Sequence, residues 1–147
     1  MIDYTQSSEA LAWAESILGC SFKDTPATWL TSRDQNGTIL GVVIFSRFTT
    51  GNCEITVASS TPRFISKRFA YAVALYPFVQ LSCRRVTAFV AVDNEKSLRL
   101  AQQLGFRIEG TVKEWFPNSD AYILGLLRKD CKWIKDSNGQ PLPASNT

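Results

Sequence analysis

Residues 94–110 read NEKSLRLAQQLGFRIEG. Asn94 is a residue type that caps a helix, because its side-chain oxygen accepts a hydrogen bond from an N–H one turn ahead. Leu98, Ala101 and Leu104 then recur on one helical face. Gly105 follows at the position where a helix closes in the left-handed conformation, which glycine enters without a Cβ penalty. The segment therefore predicts a strand end, a short helix and a new strand, Phe106–Trp115, in quick succession. Upstream, Arg85–Val92 (RVTAFVAV) is dense in β-branched residues and predicts a buried strand. Before it, Ile65, Phe69, Ala72, Val73 and Tyr76 share one apolar face of a helix. Pro77 removes a backbone donor there, so a kink or a helix end at Tyr76 is expected. With Cys53–Ser59 as the preceding strand, this makes a parallel βαβ unit with a right-handed crossover.

The flanks predict antiparallel pairs. Ser7 or Ser8 caps a first helix with apolar Leu11, Ala14, Ile17 and Leu18 at helical spacing and Gly19 just past its end. Thr28–Arg33 and Thr38–Phe48 are strand-like runs around Asp34-Gln35-Asn36-Gly37, whose Asn-Gly pair is a strong hairpin signal. Thr49-Thr50-Gly51-Asn52 is a second turn. Tyr122–Leu127 forms a last strand after the turn Phe116-Pro117-Asn118-Ser119-Asp120. The expected fold class is α+β: a mixed sheet with a central parallel strand pair joined by a helix and antiparallel flanks. Residues 1–134 make one domain, and 135–147 (KDSNGQPLPASNT) a polar tail.

Composition narrows the chemistry. The chain has 147 residues, 45% hydrophobic and 20% charged, which suits one globular domain. Its longest apolar stretch, Ile39–Phe45, is broken by Gly41 and is too short to span a membrane. The first residues lack a basic flank and apolar core, so an intracellular, cytoplasmic protein is expected. There is no histidine. That excludes Ser-His-Asp and Cys-His hydrolases, His-ligated zinc and imidazole general bases. Cys20, Cys53, Cys83 and Cys131 stand about thirty or more residues apart, without a CxxC pair. They read as free, mostly buried thiols, and no metal is expected. A net charge of +3 suits an anionic small ligand and falls short of a nucleic-acid footprint. Neither nucleic acid nor membrane is an expected partner.

The Asn94–Gly110 segment resembles the fourth-helix signature of the GNAT superfamily of N-acetyltransferases, most of all its ribosomal-protein-alanine acetyltransferase branch. That pattern is Asn-x-x-Ser, six residues, Leu-Gly-Phe, two residues, Glu-Gly; Asn94, Ser97, Leu104, Gly105, Phe106, Glu109 and Gly110 match it. The likeness extends over residues 39–130. The YPF, CRRV and KDCKW stretches also resemble small GNAT-like proteins of tailed phages and prophages. The resemblance implies an acetyl-CoA-dependent transfer to a primary amine, a protein N-terminus or a small amine, by direct attack.

Such chemistry needs free backbone N–H groups at a helix N-terminus for a pyrophosphate. It needs a donor for the thioester oxygen, and open strand edges for the pantetheine arm. It also needs a proton acceptor for the amine and a proton for the departing thiolate. The resemblance places main-chain groups of Val57 and Ala58 at the thioester and Asn94 at the pantetheine. Ser97 matches the suspected proton donor; Ala101 stands where other branches carry a tyrosine acid. Asn94 also reads simply as a helix cap, and Ser97 as a small first-turn residue. Glu54 and Glu109 are the carboxylates placed to take the amine proton, Glu54 being favoured; each also reads as a surface strand carboxylate.

Two departures stand out. The family phosphate loop is Arg/Gln-x-x-Gly-x-Gly/Ala, whereas this chain reads Arg63-Phe64-Ile65-Ser66-Lys67-Arg68-Phe69-Ala70. Serine and arginine replace glycines that let a phosphate approach the backbone. Arg63, Lys67 and Arg68 either compensate with charge, or block the site, or are merely solvated. Blockage would leave a degenerate fold acting as a binding or assembly module. Few residues precede Ser7, so the first family strand is reduced or missing. That exposes a sheet edge to a second copy or another protein. Trp13, Trp29, Trp115 and Trp133 either line such a surface or pack in the core.

Overall fold

A computed structural model describes residues 1–135; the expected polar tail, apart from Lys135, lies outside them. In chain order the elements begin β1 (Ile2–Asp3), α1 (Ser8–Leu18), β2 (Ala27–Arg33), β3 (Ile39–Thr49) and β4 (Asn52–Ser59). After a 3₁₀ turn at Pro62–Phe64 come α2 (Lys67–Leu75), β5 (Arg85–Ala91), α3 (Glu95–Leu104), β6 (Arg107–Phe116) and β7 (Ser119–Leu127). One seven-stranded sheet runs β1-β2-β3-β4-β5-β7-β6, and only its β4–β5 pair is parallel. The α+β class and its central parallel pair are as expected.

Side-chain alternation divides the sheet into two faces. One face, with Val43, Phe45, Ile55, Val86, Val90 and Leu124, packs against α2 and α3. The other buries Val42, Ile44 and Ala58 under Ala10 and Ala14 of α1. Phe64 plugs the first core from the 3₁₀ turn, and a Cβ on Gly41 would overlap its ring. Only a glycine in β3 lets that ring lie so close.

Caps fall where side-chain chemistry predicts. Ser7 Oγ accepts the Ala10 N–H, and Asn94 Oδ1 accepts the Ser97 N–H. Gly19 and Gly105 close their helices at φ 68° and 108°. Two boundaries differ from expectation, and the interruption expected at Tyr76–Pro77 takes a particular form. Ile65 is extended, so α2 starts at Lys67 behind its own cap, Ser66. At its other end, Pro77 has no N–H to continue the ladder, and the chain widens into a π turn at Tyr76–Gln80. The Leu81 N–H then reaches back to Tyr76 O at 3.0 Å. The last hairpin is tighter than predicted, because Ser119 and Asp120 already pair as strand.

The reduced first strand is present as two residues paired with Thr31 and Ser32. Arg33 Nε holds it by a 2.9 Å contact with Asp3. Beyond it, the Gln6 carboxamide substitutes for a strand: it donates to Trp29 O and accepts from Trp29 N, both at 3.0 Å. The expected open edge is therefore closed at Trp29, which blunts it against pairing. At the far side of the sheet, β6 is the outermost strand.

Candidate functional site

Pairing between β4 and β5 is brief. Only Asn52, Cys53 and Glu54 pair with Arg85, Val86 and Thr87. From Ile55 to Ser59, β4 remains bonded to β3 but has parted from β5. The result is a V whose open end lies at the C-terminal ends of both strands. There the main-chain groups of Val57 and Ala58 that face away from β3 have no strand beside them. The turns leading into α2 and α3 leave from the same end, so both helix N-termini flank the opening.

At the start of α2, the Ser66 hydroxyl accepts the Phe69 N–H at 3.0 Å. The Phe64 N–H bonds Thr61 O, and its ring meets Phe69 edge-on at 6.1 Å. Phe64 and Phe69 thus lie in the core, their amides already bonded. Lys67 and Arg68 occupy the first two helical positions, whose N–H groups no helical carbonyl can reach. These amides have no protein acceptor among the described residues. The side chains of Arg63, Ser66, Lys67 and Arg68 are exposed. Free donors, a helix dipole and three cations make this end attractive to an anion.

At the start of α3, Asn94 is exposed and caps the helix, and Ser97 stands half-buried one turn on. Both border the V from the β5 side.

Glu54 lies at the base of the V, on the face that α1 covers only in part. Its side chain is 22% exposed and meets the Arg47 guanidinium at 3.3 Å. Burial pushes its carboxyl above the ordinary glutamate value, and Arg47 partly opposes that shift. Glu109 has the opposite setting. Arg85 donates to it twice, Nη2–Oε1 at 2.7 Å and Nη1–Oε2 at 3.2 Å. These hydrogen bonds hold its carboxyl below the ordinary value. Arg85 Nε also donates to Thr87 Oγ1 at 3.0 Å, and that hydroxyl donates to Asn52 Oδ1 at 2.8 Å. The two candidate carboxylates therefore share one face, one raised towards proton uptake and the other held ionised.

Arg47, Arg85 and Thr87 were not singled out in the sequence. Strand alternation carried the signal for the last two: Arg85 and Thr87 interrupt an apolar run at a spacing of two, which puts them on the face opposite Val86 and Ala88. Arg47 was hidden, because its left-handed φ of 49° sits in a register break between β3 and β4. Of the four tryptophans, Trp29 and Trp133 bond backbone oxygens of Ser7 and Leu104. Trp115 is 44% exposed and stacks on Phe89. Among the described residues no three His, Cys, Asp or Glu side chains cluster as metal ligands, and no helix is long and apolar enough to cross a membrane.

Comparison with known proteins agrees with this arrangement. Acetyltransferase PseH of Campylobacter jejuni is 30% identical over 99 residues, 67% of this chain and 59% of that protein. The match thus spans under two thirds of the relative's length. Among solved structures, the ribosomal-protein-S5-alanine acetyltransferase of Vibrio fischeri superposes with a TM-score of 0.70 at 17% identity. It covers 89% of this chain and 94% of its own. The spermidine/spermine N-acetyltransferase SpeG of Vibrio cholerae, solved with manganese ions, gives 0.64 at 18% identity, over 86% and 91% of the two chains. Residues 3–107, which run from β1 through the V and α3, match the acetyltransferase (GNAT) domain family, and the chain belongs to it.

Proposed function

We propose that this chain transfers the acetyl group of acetyl-CoA to the nitrogen of a primary amine, by direct attack. The observation that supports it most is the brief β4–β5 pairing, which opens a V beside an unshielded helix N-terminus. The residues present fit the coenzyme. The Lys67 and Arg68 amides, with the side chains of Arg63, Ser66, Lys67 and Arg68, suit a pyrophosphate. The open main chain of β4 at Val57 and Ala58 suits the pantetheine arm and the thioester oxygen, and Asn94 borders the same channel. The bound coenzyme supplies an activated acyl carbon.

Each proton then has a place to go. Glu54 accepts the proton that the attacking amine sheds, and its raised carboxyl pKa suits that task at neutral pH. As the carbon–sulfur bond breaks, the Ser97 hydroxyl passes a proton to the thiolate and regains one from solvent, while Glu54 returns the amine's proton to solvent. Glu109 is the poorer base, because Arg85 stabilises its ionised form; its role is to hold the β5–β7–β6 surface in register. Protein N-termini and small amines both satisfy this scheme. All four cysteines are free, which supports a reducing compartment such as the cytoplasm.

One observation favours a second reading, a fold that binds without transferring: Ser66 already caps Phe69, and Arg68 replaces a glycine. Calorimetric titration with acetyl-CoA separates the two. Micromolar binding that weakens in Lys67→Glu, with Ser97→Ala lowering turnover more than affinity, is the expected result. No detectable binding at millimolar ligand would remove the transferase reading.

A further inference from the structure

The face that carries Glu54 is only half covered. α1 packs on β3 and β4, and beyond it the surface is made by β5, β7 and β6. Phe89 lies on this face two residues past Thr87, in the part of β5 that has parted from β4. The Trp115 indole lies flat on it, with ring centroids 4.2 Å apart and planes within 12°.

This stack does not serve the main core, which lies on the opposite face of the sheet. Its geometry is nevertheless held firmly. β6 breaks register between Val112 and Phe116, and Glu114 sits at φ 52°, a conformation rare outside glycine. The Asp120 carboxylate fixes that distortion by accepting the Glu114 N–H at 2.8 Å. Val92, just past β5, donates to Asp120 O at 3.1 Å and ties the hairpin to the open end of the V. A strained strand end thus holds a half-exposed tryptophan against the mouth of the site. The indole N–H has no protein acceptor among the described residues.

We infer that the Phe89–Trp115 stack selects the acceptor, and that the acceptor is a small primary amine carrying an aromatic ring on a short alkyl spacer. This rests on the acyl-transfer reading above. Stacked rings accept a third ring by offset stacking, and their faces attract an ammonium group. Glu54 pairs with Thr87 on the neighbouring strand, so Phe89 stands about 8 Å from it along the two sheet directions. One hydrogen bond of about 3 Å and a two- or three-bond spacer cover that distance. Two of the carboxylates beside the stack are already engaged, which leaves a linear polyamine fewer partners there than an aromatic ring finds. Arg85 occupies Glu109, while Lys113 and the Glu114 amide occupy Asp120.

The test is a calorimetric titration of tryptamine, phenethylamine, n-butylamine and spermidine into the full chain with CoA present. Tryptamine and phenethylamine are expected to bind at least tenfold more tightly than n-butylamine or spermidine. Trp115→Ala should bring all four within about twofold while leaving acetyl-CoA affinity unchanged, at the cost of a few degrees in melting temperature from the lost stack. Trp115→Phe should retain most of the preference. Equal binding of the four amines, tightest binding of spermidine, or an aromatic preference that survives Trp115→Ala would each overturn the proposal. Failure of acetyl-CoA to bind would instead overturn the transferase reading, and the amine ranking is measured separately from it.

Discussion

Arg85 on β5 holds Glu109 on β6 across the intervening strand β7, with its two hydrogen bonds lying directly over Gly125. A Cβ at position 125 would stand 2.6 Å from Glu109 Oε2 and 2.7 Å from Arg85 Nη2. The bare backbone of one strand thus lets an ion pair span three. Gly125→Ala should displace the fork and leave the fold intact, because the atoms met are ends of flexible side chains. The Glu109 carboxyl then returns towards its ordinary value, readable by NMR titration. Since its native pKa is depressed, the stability it contributes is present above the ordinary glutamate value and lost as pH falls through the native one. The wild type should therefore lose its small advantage over Gly125→Ala in acid. An unchanged Glu109 titration in the variant would show that the fork survives.

Glu54 carries the opposite sign. Burial raises its pKa, so the native state binds its proton more readily than the unfolded chain does. Its ionisation lowers stability as pH rises from the unfolded towards the folded value. Glu54→Gln should thus be more stable than wild type at neutral pH and lose that gain in acid. In catalysis the same substitution should lower kcat by about 10²-fold or more and abolish the acid limb of the rate profile. Arg47→Ala should move that limb upward, because Arg47 opposes the shift. A limb that stays in place in both variants would assign the base elsewhere.

Local chemistry was legible in the sequence, and long-range geometry was not. Asn94, Gly105, Ser7 and Gly19 act within one turn of themselves, and each caps the helix it predicts. Pro77 announced an interruption, but a proline removes a donor without dictating which carbonyl the next free N–H will find. The π turn was therefore not legible. The Gln6 carboxamide closes the edge at Trp29 across 23 residues, and Arg85 reaches Glu109 across 24. No local periodicity encodes either contact. The point where β4 leaves β5 is of the same kind. It depends on how two strands separated by a helix twist against their outer neighbours, so the site's residue types were readable before its geometry was.

A buried hydroxyl offers a test of packing alone. Thr31 is fully buried on β2, and its Oγ1 has no hydrogen-bond partner among the described residues. An unmet polar group in the interior costs about 1–3 kcal/mol. Thr31→Val keeps the branched shape and removes the hydroxyl, so it should stabilise the domain by about 1 kcal/mol. That is about 3 °C in melting temperature for a chain of this size. A fall in melting temperature would mean that the hydroxyl is satisfied in solution.

The first turn of α2 decides what the glycine replacements do. Ser66→Ala removes the cap on Phe69 and should destabilise the fold by about 1 kcal/mol. The same change leaves a third free amide facing the V, so its effect on acetyl-CoA affinity should be smaller than its effect on stability. Arg68 separates compensation from obstruction. Its side chain is exposed at the second helical position, and its amide, like that of Lys67, has no acceptor among the described residues. As a phosphate ligand, the guanidinium contributes a charge-assisted bond, and losing about 1 kcal/mol of it weakens binding about fivefold. Arg68→Ala should therefore raise the acetyl-CoA dissociation constant by about that factor at low salt, with a smaller effect at high salt as the charge is screened. An obstructing side chain predicts the reverse, tighter binding when it is trimmed. The sign of this one change shows whether arginine took over the task that the glycine left.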